Sequence, residues 1–279
     1  MKILVTGAKG QLGYDIVNEL TARGDTPISA DLEEMDITDK NAVIDYITKQ
    51  QPDTVIHCAA YTAVDAAEDN EELCMRVNES GTKNIASAAC KLNIPIIYIS
   101  TDYVFNGEGD KPWMPDNTCE PINIYGLSKR NGELAVMEAN DKYFIVRISW
   151  VFGKNGKNFV DTMLSLASTR DSLSVVNDQI GSPTYTKDLS VLLADMINTD
   201  KYGIYHASNE GYCSWYDFAA EIFKLTDTTI NLNPVSSSEF PTKAKRPSNS
   251  RLDKSKLEQQ GFNPLPTWQD ALKRYLKEV

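Results

Sequence analysis

The sequence predicts an α/β fold in which a doubly wound parallel sheet is followed by a smaller, irregular C-terminal region. Short apolar runs alternate with helical periods over the first 150 residues, a glycine-rich turn follows the first run, and the regularity fades after Trp150. Strands joined through helices make right-handed crossovers, which produce a parallel sheet covered on both faces. A chain of 279 residues is long enough for one large domain or two modest ones.

The first half of the chain alternates five predicted strands with four predicted helices. Leu12, Ile16 and Leu20 form the apolar stripe of the first helix, and Pro52 ends the second. The predicted strands are 2–6, 27–30, 54–58, 96–100 and 143–149, and the predicted helices are 11–23, 39–51, 72–92 and 123–140. This order is typical of successive βαβ units.

The C-terminal part has weaker signals. Helical periods predict helices over 159–168 and 186–198, and an apolar run predicts a strand over 203–207. The patterns SWYD at 214–217 and TWQD at 267–270 are capping boxes, each of which opens an amphipathic helix. Residues 231–251 are rich in Ser, Pro and Asn and are predicted to be a loop.

Composition excludes several classes of function. Lys plus Arg total 28 and Asp plus Glu total 39, so the net charge is −11. A chain this acidic lacks the positive field that nucleic acids or anionic membranes require. No apolar run approaches the ~18–20 residues of a membrane span, and the N-terminus does not resemble a signal peptide. Five scattered cysteines without a CxxC pair predict free thiols and a cytoplasmic protein.

Gly7, Gly10 and Gly13 form a G-x-x-G-x-x-G motif directly after the first strand. In dinucleotide-binding folds the first glycine permits a tight turn, the second lets the backbone approach a pyrophosphate, and the third allows close helix–strand packing. The motif therefore predicts a Rossmann-type, NAD(P)-binding domain over residues 1–152. Residues 153–279 are predicted to be mainly a substrate-binding region, with about 173–207 packing back on the first domain.

Asp31 ends the second predicted strand, 18 residues after Gly13. A carboxylate there can accept hydrogen bonds from the adenosine ribose and would repel a 2′-phosphate. We therefore expect NADH to be favoured, with NADPH still tolerated because Lys9 lies in the glycine loop. The alternative is a loop aspartate that only caps a turn.

Tyr125 and Lys129 stand four residues apart on a predicted helix, so they share one face. They follow a strand that ends at Thr101, and ligands bind at the carboxyl ends of strands in doubly wound folds. Reduction of a carbonyl by hydride needs a proton donor, and an adjacent ammonium lowers the pKa of a phenol. Thr101 can hold the carbonyl oxygen through a hydrogen bond. The alternative for Thr101 is a strand-end hydroxyl bonded to its own backbone.

Longer strings of residues resemble the extended short-chain dehydrogenase/reductase superfamily, and most closely the dTDP-4-dehydrorhamnose reductase family. The resemblance covers essentially the whole chain. Its strings are GAKGQLG (7–13), AAYTAVD (59–65), VNESGT (77–82), STDYVF (100–105), YGLSK (125–129), RISWVF (147–152), DQIGSPT (178–184) and RP (246–247). The glycine loop and YxxxK mark only the superfamily, whereas the second, fourth and seventh strings are more specific to the reductases.

The resemblance implies a role for each matched residue. Tyr125 would donate the proton, Lys129 would bind the nicotinamide ribose and tune Tyr125, and Thr101 would complete the catalytic set. The residues that would line the cofactor are Gly10, Gln11, Leu12, Asp36, Ile37, Ala59, Ala60 and Tyr61. Those that would touch the sugar are Thr101, Asp102 and Trp150. The substrate would be a dTDP-linked 4-keto-6-deoxysugar, and the pathway dTDP-rhamnose biosynthesis.

Several alternatives stay open from the sequence. Related 4,6-dehydratases carry an Asp-Glu pair after the threonine, but Tyr103 replaces the glutamate here, which favours reduction. Arg246 is a candidate for binding the nucleotide diphosphate or is a solvated surface residue. Trp150 offers a flat wall for a sugar ring or is a core residue. A reductase or epimerase of another nucleotide sugar, a non-catalytic NADP-binding regulatory subunit, a homodimer and an interfacial Mg²⁺ known from the family also remain open.

Overall fold

The computed structural model describes residues 1–279 as thirteen strands and eleven α-helices. The strands are β1 Lys2–Thr6, β2 Thr26–Ala30, β3 Thr54–His57, β4 Ile96–Thr101, β5 Tyr143–Ile148, β6 Val151–Phe152, β7 Ser172–Val176, β8 Ile180–Gly181, β9 Thr184–Tyr185, β10 Gly203–His206, β11 Cys213–Ser214, β12 Asn231–Val235 and β13 Asn249–Ser250. The helices are α1 Gln11–Ala22, α2 Lys40–Gln50, α3 Val64–Ala67, α4 Glu71–Met75, α5 Thr82–Lys91, α6 Ile124–Ala139, α7 Phe159–Ala167, α8 Thr186–Met196, α9 Trp215–Leu225, α10 Ser255–Gln259 and α11 Trp268–Tyr275.

A six-stranded sheet forms the centre of the molecule, in the order β2-β1-β3-β4-β5-β10. All five neighbouring pairs are parallel. The chain leaves β1 toward β2 on one side and then returns to place β3 on the other side. This reversal makes a crevice at the carboxyl ends of β1 and β3, which is where doubly wound sheets bind their ligands. The α/β fold class predicted from the sequence is confirmed.

Both faces of the sheet are covered, which explains why its strands are continuous apolar runs. Ile3 and Val5 of β1 pack with residues of α1 and α8, whereas Leu4 packs with residues of α2, α5 and α6 on the opposite face. The side chains of a strand alternate between the two faces, so a single five-residue strand contributes to two separate cores. None of the helices is both long and apolar enough to cross a membrane.

A second unit follows Trp150 and has its own core. Phe152, Phe218, Trp268 and Tyr275 are buried together there, between α7, α9 and α11. Small sheets complete it: β7 pairs with β12, β6 with β9, and β8 lies between β11 and β13. Ser214 caps α9 in the reciprocal arrangement with Asp217 that the sequence predicts.

Residues 173–207 divide between the two units. The last strand, β10, adds to the edge of the main sheet beside β5, and α8 packs on α1 through Leu189 and Leu193. Leu173 and Val175 of β7 instead belong to the core around Phe218. From about residue 186 onward the segment therefore packs on the main sheet and α1, whereas β7 packs in the second core.

Two predicted elements differ from the structure. The helix predicted over 72–92 is interrupted by a π-helical turn, Arg76–Gly81, between α4 and α5. The loop predicted over 231–251 begins with the strand β12, which pairs only with β7. The sequence did not predict this strand because it is largely polar and contains Pro234, which is tolerated only at the edge of a sheet. Strand β7 itself was not predicted, because its apolar residues are only the alternate Leu173 and Val175 with a following Val176.

Candidate active site

A cavity of about 600 Å³ lies in the crevice at the carboxyl ends of β1, β3 and β4. It runs from the glycine loop past Thr101 to Trp150 at the start of the second unit. Most of the site residues predicted from the sequence line it. They are Gly7, Gly10, Gln11, Leu12, Gly13, Asp31, Ala59, Ala60, Thr101, Asp102, Tyr125, Lys129 and Trp150.

The glycine loop forms a cradle at one end of this cavity. Gly7 has φ +67°, and a Cβ there would lie 2.8 Å from the backbone nitrogen of Ala59. Gly10 is the N-cap of α1, with no side chain bonded to the free N–H groups and no acidic residue in the first turn. This end of the cavity therefore presents N–H groups and a positive helix end to an anion. Gln11 Oε1, buried without a hydrogen-bond partner, is an acceptor that a ligand donor could meet.

Asp31 lies beside the cradle and is hydrogen-bonded to the glycine loop. Both of its carboxylate oxygens accept from the backbone N–H of Lys9, at 3.1 and 3.3 Å. The Lys9 ammonium points to Glu33 instead, at 2.7 Å. The carboxylate thus caps the glycine loop and also lines the cavity, so the two interpretations of Asp31 are compatible.

A buried histidine supports the cradle from below. His57 Nδ1 lies 2.6 Å from Thr6 Oγ1 and its Nε2 lies 3.1 Å from Thr82 Oγ1, while Thr6 Oγ1 also accepts from the Ala59 N–H. Burial, together with the charge of Lys129, lowers the pKa of His57 to about 3. His57 is therefore neutral and structural, and it fixes the distance between β1 and β3.

Asn78 was not predicted to have a role, although it belongs to one of the strings shared with the family. It lies in the π-helical turn, and its side chain bonds the backbone N–H of Tyr61 at 2.8 Å and the Tyr61 carbonyl at 3.0 Å. The same amide donates to Ser128 Oγ on α6. The π-turn thus directs a buried amide that fixes the backbone at Tyr61, next to the cavity wall at Ala59 and Ala60. Such π-turns often occur at functional sites.

Thr101 is buried at the end of β4, and its hydroxyl has local partners. It donates to Asp102 Oδ1 at 3.0 Å and accepts from the backbone N–H of Tyr103 at 3.2 Å. Thr101 therefore caps the short 3₁₀ turn Asp102–Val104 and also lines the cavity. Asp102 is only 3% exposed and its Oδ2 has no partner. Burial raises the pKa of this carboxyl to about 6.

Tyr125 and Lys129 line the cavity from α6, and their titration differs from the sequence-based expectation. Burial raises the pKa of the Tyr125 phenol well above its ordinary value, and the Thr101 hydroxyl only partly offsets this. Burial also lowers the pKa of Lys129 to about 7, against the attraction of Glu133. The expectation that Lys129 pulls the pKa of Tyr125 below that of a free phenol is therefore corrected, because removal from water outweighs the charge.

Trp150 closes the far end of the cavity and stacks on Trp215 of α9. The two rings are 3.6 Å apart between centroids and nearly parallel, at 13°. Trp150 has φ +49°, a left-handed conformation that is costly for a large side chain and is found at ligand sites. Trp215 also lines the cavity, but the sequence indicated only its position at the start of a capped helix.

A buried ion pair lies behind the candidate catalytic residues. Arg147 of β5 and Glu133 of α6 are 1% and 0% exposed and form a bidentate pair at 2.7 and 2.8 Å. Ser100, next to Thr101, donates to Glu133 Oε1 at 2.6 Å, and Arg130 donates to Oε2 at 2.7 Å. Although burial opposes it, Arg147 holds the pKa of Glu133 below its ordinary value. This network joins the elements that carry Thr101, Lys129 and Trp150.

Four predicted site residues lie outside the cavity wall. Asp36 bonds the backbone and hydroxyl of Thr38, and Ile37 packs in the core beneath the turn. The backbone N–H of Tyr61 donates to the Asn78 side chain. Arg246 forms an ion pair with Asp65. Their roles toward a ligand stay predictions. No three His, Cys, Asp or Glu side chains are grouped so that they could hold a metal ion.

Known proteins resemble this chain over its full length. The family model described as the RmlD substrate binding domain matches residues 1–279. The spore coat polysaccharide biosynthesis protein SpsK of Bacillus subtilis is 40% identical over 277 residues, covering 99% of this chain and 97% of the relative. The dTDP-4-dehydrorhamnose reductase of Aggregatibacter actinomycetemcomitans is 42% identical over 286 residues, covering 98% and 97%.

A solved structure gives the same result for the fold. The dTDP-4-dehydrorhamnose reductase from Bacillus anthracis, in complex with NADP, superposes with a TM-score of 0.97. It is 43% identical in sequence, and the match covers 100% of this chain and 99% of that one.

Substituting Glu133→Gln should destabilise the protein strongly. It leaves the Arg147 guanidinium buried without its counter-charge, which typically costs ~3–5 kcal/mol. Urea denaturation would measure the free energy of unfolding. Glu138→Gln on the same helix is the matched control, because Glu138 pairs with Lys83 on the surface and should matter by less than about 1 kcal/mol. Equal losses for the two variants would contradict the role given to the buried pair.

Proposed function

Since the chain belongs to the family that the RmlD substrate binding domain model describes, we propose that it is an NAD(P)H-dependent reductase that converts dTDP-4-dehydro-L-rhamnose to dTDP-L-rhamnose. One observation carries this proposal: a single cavity joins an anion-binding glycine cradle to Thr101, Tyr125 and Lys129 and ends at a pair of stacked tryptophans. This continuous space would bring the cofactor, the proton donor and the sugar wall together.

The residues present fit a nicotinamide dinucleotide. Gly7 and Gly13 leave no room for side chains where the backbone turns into α1, and the free N–H groups of that helix suit a diphosphate. The buried, unpaired Gln11 Oε1 is an acceptor, so it suits a hydroxyl or N–H donor of the dinucleotide and not its diphosphate. The amide of Asn78 fixes the backbone at Tyr61, next to the cavity wall at Ala59 and Ala60. When bound, the reduced nicotinamide would supply the hydride for the sugar C4.

The residues of this chain supply the proton and the positioning. Tyr125 donates its O–H proton to the carbonyl oxygen as C4 is reduced, so that a ketone becomes an alcohol. Because burial raises the pKa of Tyr125, the phenol is protonated and ready to donate at neutral pH. The edge of the Tyr103 ring packs on Tyr125 with centroids 5.6 Å apart, which restricts the phenol to one orientation.

The sugar is held at the far end of the cavity. Asp102 Oδ2 is a buried acceptor with no partner, as is needed to receive a sugar hydroxyl. Trp150 supplies an apolar wall for the ring and is itself held by Trp215. Tyr103 in place of a glutamate leaves no second acid next to Asp102, which favours reduction over water elimination. The complete set of Thr101, Tyr125 and Lys129 favours turnover over a purely regulatory role.

Both nicotinamide cofactors fit the adenosine end, and Asp31 favours NADH. The carboxylate faces the cavity, while Lys9 is engaged with Glu33 and would have to turn to meet a 2′-phosphate. The Bacillus anthracis relative was solved with NADP, so the phosphate is tolerated in that close relative. We therefore expect dual use of the cofactors, with NADH bound at least as well as NADPH.

Asp31→Ala should shift the ratio of NADPH to NADH affinity toward NADPH by about tenfold. It removes a repulsion between carboxylate and 2′-phosphate on the order of 1.4 kcal/mol. Fluorescence titration of the purified protein with each cofactor gives the two dissociation constants. A wild type that binds NADPH far more tightly, with a ratio that the variant leaves unchanged, would show that Asp31 has no such role.

Tyr125→Phe should lower kcat by ~10²–10⁴ while cofactor affinity is kept, because only the proton-donating O–H is removed. The wild type should oxidise NADPH in the presence of dTDP-4-dehydro-L-rhamnose and release dTDP-L-rhamnose, identified by chromatography and NMR. Tyr103→Phe is the control, since it removes a neighbouring phenol from the same wall. Turnover of Tyr125→Phe at the wild-type rate, or an equal loss in Tyr103→Phe, would overturn the assignment of the donor.

NADPH affinity should fall as pH rises through about 7. Burial lowers the pKa of Lys129 to about 7, so the ammonium is present below that pH and is lost above it. Since the cofactor is an anion and Lys129 faces its site, loss of the charge weakens binding by up to about tenfold per pH unit. Titrations between pH 6 and 9 would measure this. Lys129→Met should bind weakly and show a flat profile, and a steep profile in that variant would assign the titration to another group.

A further inference from the structure

An anion-binding site at the edge of the cavity is filled by the protein's own carboxylate. Arg246 donates to both oxygens of Asp65, at 3.0 and 2.7 Å, and the backbone N–H of Ala244 donates to Oδ1 at 3.0 Å. Three donors from one short segment, 243–246, thus converge on a single anion. A guanidinium fork with an added backbone N–H is the arrangement that binds phosphate as well as carboxylate.

The segment 243–246 lies beside the wall of the cavity. Val64, the neighbour of Asp65 at the start of α3, lines the cavity, and so does Tyr103. Arg246 is close enough to the Tyr103 phenol for the two groups to affect each other's pKa. Asn123, the N-cap of the helix that carries Tyr125, donates to the carbonyl of Lys245 at 2.8 Å. The donors are therefore anchored to the catalytic helix and adjoin the sugar end of the site.

We propose that Asp65 occupies the diphosphate subsite of the free protein, and that the nucleotide-sugar diphosphate displaces this carboxylate and takes over Arg246 and the Ala244 N–H. The inference rests on the proposed function, because it assumes a nucleotide diphosphate as substrate. It adds a residue, Asp65, that competes with the substrate for the group that binds it.

The exchange is physically easy in both directions. The side chains of Arg246 and Asp65 are 24% and 46% exposed, and ion pairs of this kind contribute little to stability. A diphosphate carries more charge than a carboxylate and offers the same paired oxygens to the guanidinium. The released Asp65 is close enough to solvent to be hydrated. In the free protein the pair keeps Arg246 in place, which limits the ordering that binding requires.

A second ion pair on the same segment supplies a matched control. Lys243 pairs with Asp69, four residues after Asp65, and both side chains are largely exposed. Replacing either aspartate with asparagine removes one negative charge from an acidic protein and breaks one contact of the segment. Only Asp65 lies on the donors that would receive the diphosphate, so the two variants separate specific competition from general attraction.

The test is calorimetric titration of the full-length protein with dTDP and, separately, with NADPH. Asp65→Asn should tighten dTDP binding about two- to fivefold. This factor corresponds to the free energy of the partly exposed ion pair, which no longer has to be broken when dTDP binds. Arg246→Gln should weaken it about tenfold or more, because a charge-assisted pair of hydrogen bonds is lost. Asp69→Asn should leave it unchanged within about twofold, and none of the variants should alter NADPH affinity.

The opposite signs of the two partner variants make the inference falsifiable. A purely structural clasp would weaken dTDP binding when either partner is changed, so weaker or unchanged binding by Asp65→Asn overturns the exchange. If the variants change the affinity for NADPH and not that for dTDP, the site belongs to the cofactor, and the proposed exchange is also overturned. If the wild type binds dTDP and only the Asp65 result fails, the proposed function stands. If the wild type binds no dTDP, both fail.

Discussion

The bidentate pair between Glu133 and Arg147 is the interaction on which the arrangement of the site depends. Two buried charges are tolerated in a protein interior only when their geometry is good and the remaining acceptors are satisfied. Here Ser100 and Arg130 complete the shell of Glu133, and the carbonyl of Pro115 accepts from Arg147. Separating α6 from β4 or β5 would expose an unpaired charge to an apolar core. The elements that carry Thr101, Tyr125 and Lys129 are therefore held in one fixed relation.

The second unit completes the site from the other direction. The chain passes from β5 through the strained Trp150 directly into β6, so the same short stretch ends the main sheet and begins the second core. Trp215, far along the chain, then stacks on Trp150. Gly181 also packs on this indole, and a Cβ there would lie only 2.8 Å from the Trp150 ring. The ring is therefore positioned by neighbours on β8 and α9 and needs little further ordering.

The sequence predicted those parts of the fold and site whose signals are local. The first strand, the glycine loop and α1 are contiguous, so pattern and spacing specify them together. The contributions of Trp215, Asn78, Glu133 and Asp65 depend on partners that folding brings from elsewhere in the chain, or on an unpredicted π-turn. Strand β12 was missed for a related reason, since a polar edge strand lacks the apolar alternation that marks a buried one. Pairing at a distance leaves little trace in a single sequence.

The raised pKa of Tyr125 shows that burial can reverse the effect expected from a neighbouring ammonium, which by itself lowers the pKa of a phenol. An ammonium one turn away does favour a phenolate, but both groups are buried, and desolvation can move a pKa by up to ~3–5 units. Lys129 itself lies over the ring of Tyr98, 4.2 Å from its centroid, and burial lowers its pKa to about 7. It is therefore only partly charged at neutral pH and has little effect on Tyr125. The phenol keeps its proton without help, which suits a donor, while Lys129 becomes the group whose charge changes near neutrality. In the proposed mechanism the two residues of the motif thus act separately: Tyr125 would supply the proton, and Lys129 would link cofactor binding to pH.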